Sequence, residues 1–182
     1  MEQQSNISHG LKWGLIIGVV YVAFSYVRYA GTASNPILMS LLTIVGYAIA
    51  LALLVVCGLT LRKKNGGLLD VKEAFKILFL AVLIFELFYS IFNFVYVKYI
   101  DPHFYETLKA NMAILLEKSG QPQAKTDEML KSMDVDTSKM NVFDLLKTYL
   151  VSISVSGIIA LIIAVIIKKK PVPTPTKGNI FP

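Results

Sequence analysis

The sequence predicts an all-α membrane protein: four transmembrane helices in two antiparallel hairpins, with a short helical extracytoplasmic segment between the third and fourth. Three observations predict it. Four apolar stretches, at about residues 13–31, 37–61, 74–97 and 143–167, are each long enough to cross a bilayer, since about 30 Å of hydrocarbon takes about 20 helical residues. Lipid offers no hydrogen-bond partner to the backbone, so such stretches must be helices. Hydrophobic residues make up 55% of the 182-residue chain, against about 45–50% in an ordinary soluble domain. Finally, the net charge of +6 is distributed unevenly between the two sides of the membrane.

That distribution sets the expected orientation. With the loop between the second and third spans in the cytoplasm, Lys12, Arg62, Lys63, Lys64, Lys72, Lys76, Lys168, Lys169, Lys170 and Lys177 share one side with only Glu2, Asp70 and Glu73. The long loop, residues 98–146, carries nearly balanced charge on the other side, joined by Arg28 at the end of the first span. Lysine and arginine accumulate on the cytoplasmic side of short loops. The expectation is therefore a multi-pass protein of the bacterial inner (cytoplasmic) membrane with N- and C-termini cytoplasmic. The basic excess reads as an orientation signal that also attracts anionic head groups, not as a nucleic-acid surface.

Three regions follow: a disordered cytoplasmic N-terminus at 1–9, a four-helix membrane domain at 10–170, and a Pro-rich cytoplasmic tail at 171–182. An alternative for the first span is a signal peptide cleaved near Gly31-Thr32-Ala33. Arg28 and Tyr29 just before that point speak against cleavage, which would leave the remaining topology unchanged.

Each element has its own signals. The first span carries Gly10, Gly14 and Gly18 at i, i+4 spacing, and small residues let helix backbones approach closely in lipid. Packing within the same chain is the first reading of this strip and homodimerisation the second. A short link of turn formers leads to the second span, whose small edge is Gly46, Ala50 and Gly58. Asn65-Gly66-Gly67 then predicts a tight turn, and Asp70 with Glu73 predicts a capping box opening the third span.

The third span is rich in Phe and Tyr, the composition of an interfacial belt and packing surface. Beyond it, Asp101-Pro102 predicts an N-cap and an N1 proline for an amphipathic helix with Phe104, Leu108, Met112 and Leu115 on one face, stopped at Gly120. A second short helix follows at 123–133. Asn141 and Asp144 cap the fourth span, which presents Ser152, Ser156 and Ala160 along one face.

Candidate chemistry is sparse. Glu86 stands near the middle of the third span, where a charged side chain costs at least about 2.5–3.5 kcal/mol. It must face the bundle. Ser90 and Asn93 lie four and seven residues on, so the three share a helical face with Tyr89 at its edge. Two readings stay open: a hydrogen-bond lock between helices, for example to Ser152 or Ser156, or a polar path for a proton, ion or head group. Asp101 and His103 form a D-x-H pair better explained by capping and exposure than by metal. With one cysteine, Cys57, and two histidines, no metal or disulfide framework is expected. No phosphate loop, zinc-protease motif or nucleophile elbow occurs, so neither an enzyme nor a cofactor is expected.

The order of these features resembles domain-of-unknown-function family 4199, integral membrane proteins found chiefly in Bacteroidota. The resemblance rests on the glycine-spaced first helix, Gly66-Gly67 leading to Glu73-Ala74-Phe75-Lys76, and the aromatic third helix running into Ile100-Asp101-Pro102. The ending Ile166-Ile167-Lys168-Lys169-Lys170 also fits. It implies a four-helix integral membrane protein and carries no established activity or site. The expectation is a non-enzymatic accessory or scaffold protein in contact with the lipid bilayer and with a membrane-protein partner or a second copy. The alternative is a small lipid- or ion-handling protein with a path at Glu86, Ser90 and Asn93.

Overall fold

The apolar segments are helices long enough to span a membrane, at Asn6–Gly31, Pro36–Lys64, Val71–Ile100 and Val142–Ile167. A computed structural model describes residues 2–32, 35–120, 122–133 and 136–169; the proline-rich tail at 171–182 lies outside them. The helices are α1 (Glu2–Thr32), α2 (Pro36–Lys64), α3 (Val71–Val95), α4 (Phe104–Lys118), α5 (Gln123–Ser132) and α6 (Val142–Ile167). Large apolar side chains such as Ile44, Val151, Ile158 and Ile166 stand exposed around the bundle. A belt of this kind is unfavourable in water and suits lipid.

The central helix is α3, with α1 on one side and α6 on the other, and α2 completes the ring. The tightest seam joins α1 to α3, two helices that run in the same direction. A Cβ built on Gly10 would meet the carbonyl of Ile77 at 2.9 Å, one on Gly14 that of Ala81 at 2.9 Å, and one on Gly18 the Phe88 side chain at 3.2 Å. The glycine strip thus removes the side chains that would hold these backbones apart. On α2, Gly46 accommodates the ring of Phe24 and Ala50 is buried; on α6, Ala160 is fully buried and Gly157 faces the ring of Phe79.

Local chemistry sets the helix ends, with three departures from expectation. Residues 2–9, expected as a loose tail, form the first turns of α1, because Asn6 is buried and donates to Glu73 Oε1 at 2.6 Å. Glu73 also accepts from Asn65. Its carboxylate is thereby committed between elements, and the expected capping box at Asp70 does not close; Asp70 alone caps α3 by accepting from the Lys72 amide. Asp101 does not open α4. A π-helical turn over Tyr96–Ile100 extends α3, with the Asp101 amide donating to Tyr96 O, and α4 starts two residues later than Pro102 would place it, at Phe104. The capping box of Asn141 and Asp144 on α6 is present as expected.

Two features close the ends of the bundle. At the α4 end, Phe104 and Leu108 pack on Tyr29, Tyr96 and Val97, so the amphipathic face of α4 caps the spans. Lys98 donates to Met140 O, tying the π turn to the approach to α6. At the opposite, basic end, Gly66 and Gly67 take positive φ in the turn after α2. The chain then pairs Leu69 with Lys169 through two backbone hydrogen bonds of 2.9 Å.

Candidate functional site

The third span delivers its polar residues to two different neighbours. Glu86 is 4% exposed, and the Ser156 hydroxyl donates to its Oε1 at 2.5 Å, joining α3 to α6. Among the described residues this is the one hydrogen bond Glu86 makes. Tyr149, two turns earlier on α6, donates to Leu83 O at 3.1 Å and reinforces the same seam. Ser152 stands between them and does not bond Glu86. Ser90 is buried, and among the described residues its Oγ has no hydrogen-bond partner.

Asn93 belongs to the other side. Its Oδ1 accepts from Tyr29 of α1 at 2.8 Å, and the Tyr29 and Tyr89 hydroxyls lie 3.2 Å apart. Of the three residues expected to share a face, Glu86 therefore bonds to α6 and Asn93 to α1. Beside Tyr89 lies a group that sequence reasoning placed at the outer helix end. Arg28 is 3% exposed and points into the bundle, donating to Thr43 Oγ1 of α2 at 3.1 Å and to the Tyr89 hydroxyl at 3.4 Å, over the ring of Tyr29. The ring of Tyr21 packs edge-on against Tyr89, with centroids 5.1 Å apart. A signal for this cluster was present: Tyr21, Ser25, Arg28 and Tyr29 recur at helical spacing on one face. Tyr105 of α4 closes over it, and burial raises its phenol above the ordinary value.

Outside the membrane, Asp101 and His103 do not converge on a site. His103 Nδ1 lies 2.9 Å from Glu106 Oε2 on the same exposed helix start, and that hydrogen bond holds the imidazole above its usual pKa. Among the described residues, no three His, Cys, Asp or Glu side chains come together in a way that could hold a metal ion.

A cavity against Glu86 has the size of a ligand site. It measures about 640 Å³ and lies between α2 and α6, with Phe85 and Glu86 of α3 as its floor and Tyr47, Leu51, Ser152 and Val155 among its walls. At the basic end α2 and α6 meet, where Arg62 donates to Ile167 O at 3.3 Å. Nearer the middle of the spans the cavity separates them. A second, open depression of about 740 Å³ over the first turns of α6 carries Asp136, Lys139, Asp144 and Lys147 and shares Val151 and Ser152 with the first.

Four apolar helices around a shared seam, tied by polar side chains at membrane depth, define a multi-pass integral membrane protein in contact with lipid. The family comparison is more specific. Residues 12–169 match the model of the family described as "Protein of unknown function (DUF4199)", and the chain belongs to that family. The searches of curated proteins and of solved structures gave no match.

Proposed function

We propose that this protein is a non-enzymatic accessory or scaffold protein of the bacterial inner membrane, with both termini cytoplasmic and the α4–α5 side outside. One observation carries the reading: several polar side chains at membrane depth bond from one helix to another. Ser156 to Glu86, Tyr149 to Leu83, Arg28 to Thr43 and Tyr89, and Tyr29 to Asn93 each join two spans. Groups used in this way set the shape of a bundle rather than act on a substrate.

Glu86 provides the functional test. In Glu86→Gln the amide oxygen still accepts from Ser156, so folding, partner association and complementation of a deletion strain are expected to survive. Glu86→Leu leaves the Ser156 hydroxyl without its partner, and a loss of about 1–3 kcal/mol is expected from thermal melting in detergent. A folded, inserted Glu86→Gln protein that fails to complement would overturn the accessory reading.

Orientation has a separate test, motivated by the asymmetry of lysine and arginine. In a Cys57→Ala background, Lys125→Cys is expected to react with a membrane-impermeant thiol reagent in intact spheroplasts. Lys169→Cys is expected to react only after lysis. The reverse pattern contradicts the assignment.

The cavity against Glu86 favours a second reading, a small lipid- or ion-handling membrane protein. The path would run by Glu86, Ser90 and Asn93, of which Glu86 lines the cavity and Asn93 accepts from Tyr29. Failure of complementation by a folded Glu86→Gln protein would promote this reading.

A further inference from the structure

Glu86 is 4% exposed and forms part of the floor of a cavity of about 640 Å³, within the range of about 300–1,000 Å³ that holds a drug-sized ligand. A carboxylate has two oxygens and about four acceptor sites. Ser156 supplies one donor to Oε1. Among the described residues no further hydrogen bond and no ion pair engages the carboxyl group. The other walls of the cavity are aliphatic, aromatic or hydroxyl-bearing, so Glu86 supplies the single carboxyl group that a ligand there would meet.

An ionised carboxylate in such surroundings is costly unless an opposite charge joins it. A small hydrated cation would have to shed its water against apolar walls, which cannot replace it. A cation carrying its own apolar substituents has no such problem: its surface replaces lipid against Leu51 and Val155, and its charge faces Glu86. The cavity also holds two aromatic side chains, Tyr47 and Phe85, and aromatic faces attract cations. The polar depression that shares Val151 and Ser152 with the cavity opens it toward the α4 end; its walls carry Asp144 and Lys147 and the ion pair of Lys139 with Asp136 at 2.7 Å.

We propose that the cavity between α2 and α6 binds a lipophilic cation, an ammonium or phosphonium bearing apolar groups, with Glu86 as its counter-ion. The proposal rests on the second reading above and narrows it to one ligand class. It leaves the bond from Ser156 in place, because that bond occupies one oxygen and the cation uses the capacity left over.

Tetraphenylphosphonium is the probe, titrated calorimetrically into the purified full chain in mild detergent. Saturable binding at one site is expected, weakened at least about tenfold in Glu86→Gln, as loss of a charge-assisted contact implies. Ser156→Ala, which keeps the carboxylate, is expected to retain binding. Ala48 also lines the cavity on α2; Ala48→Phe fills it without removing the acid and is expected to abolish binding, so the proposal stays testable if Glu86→Gln fails to fold. Uncharged triphenylphosphine oxide is expected to compete poorly. Undiminished binding by folded Glu86→Gln or by folded Ala48→Phe would overturn the proposal. A wild-type chain that binds the neutral compound but not the cation would overturn the cation while leaving the lipid-handling reading intact; a chain that binds neither would remove both.

Discussion

Phe104→Ala is expected to release α4 from the end of the bundle. Phe104 is 1% exposed, and its ring lies 4.7 Å from that of Tyr29, 5.8 Å from Tyr96 and 5.4 Å from Tyr105 between centroids. Truncating a buried phenylalanine costs about 3–5 kcal/mol, through lost apolar burial and the cavity left behind. Here the loss falls on one attachment. The spans remain helical because lipid gives their backbones no alternative, whereas α4 is held by Phe104, Leu108 and their partly buried neighbours, with Leu116 buried nearer its end. Limited proteolysis in detergent is expected to cut within 104–118 in the variant and to spare it in the parent. Equal resistance would mean that α4 is anchored elsewhere.

Gly14→Ile is the second large effect. A Cβ at Gly14 would meet Ile84 Cβ at 2.8 Å and the Ala81 carbonyl at 2.9 Å, so even alanine presses on α3. Isoleucine adds a branched side chain that a backbone cannot move aside for without separating α1 from α3. Overpacking of this kind costs about 1–3 kcal/mol, and thermal melting in detergent is expected to fall in the order glycine, alanine, isoleucine. A melting profile unchanged by isoleucine would place Gly14 against lipid rather than against α3.

The spans were legible because lipid imposes one solution on any long apolar stretch, and hydropathy reads that constraint directly. Local caps were partly legible. Asn141 and Asp144 close their box because among the described residues no other hydrogen bond draws them away, whereas Glu73 is drawn to Asn6 and Asn65, a contact 67 residues distant in the first case. Glu86 was legible as a polar residue that must face protein, and hydroxyls on the fourth span were its named partners; that Ser156 rather than Ser152 bonds it depends on how α6 rotates against α3.

The pairing of parallel helices α1 and α3 was not legible. A small-residue strip announces close approach but does not name its partner. Arg28 was assigned to the helix end because a lone arginine near a boundary ordinarily reaches water. The Thr43 and Tyr89 hydroxyls and the face of the Tyr29 ring that draw it inward come from three helices, one of them its own. The cavity by Glu86 was hidden for the same reason: it exists only where α2 and α6 separate.

The central claim is that this bundle serves as an accessory to another membrane protein, and isolation from cross-linked membranes tests it most directly. Tagged chain expressed at its native level, cross-linked in intact cells and purified in mild detergent, is expected to bring down one membrane protein, or a second copy of itself, in near-stoichiometric amount by mass spectrometry. The same species should accompany Glu86→Gln. Recovery of the chain as a monomer without any stoichiometric companion would contradict the account.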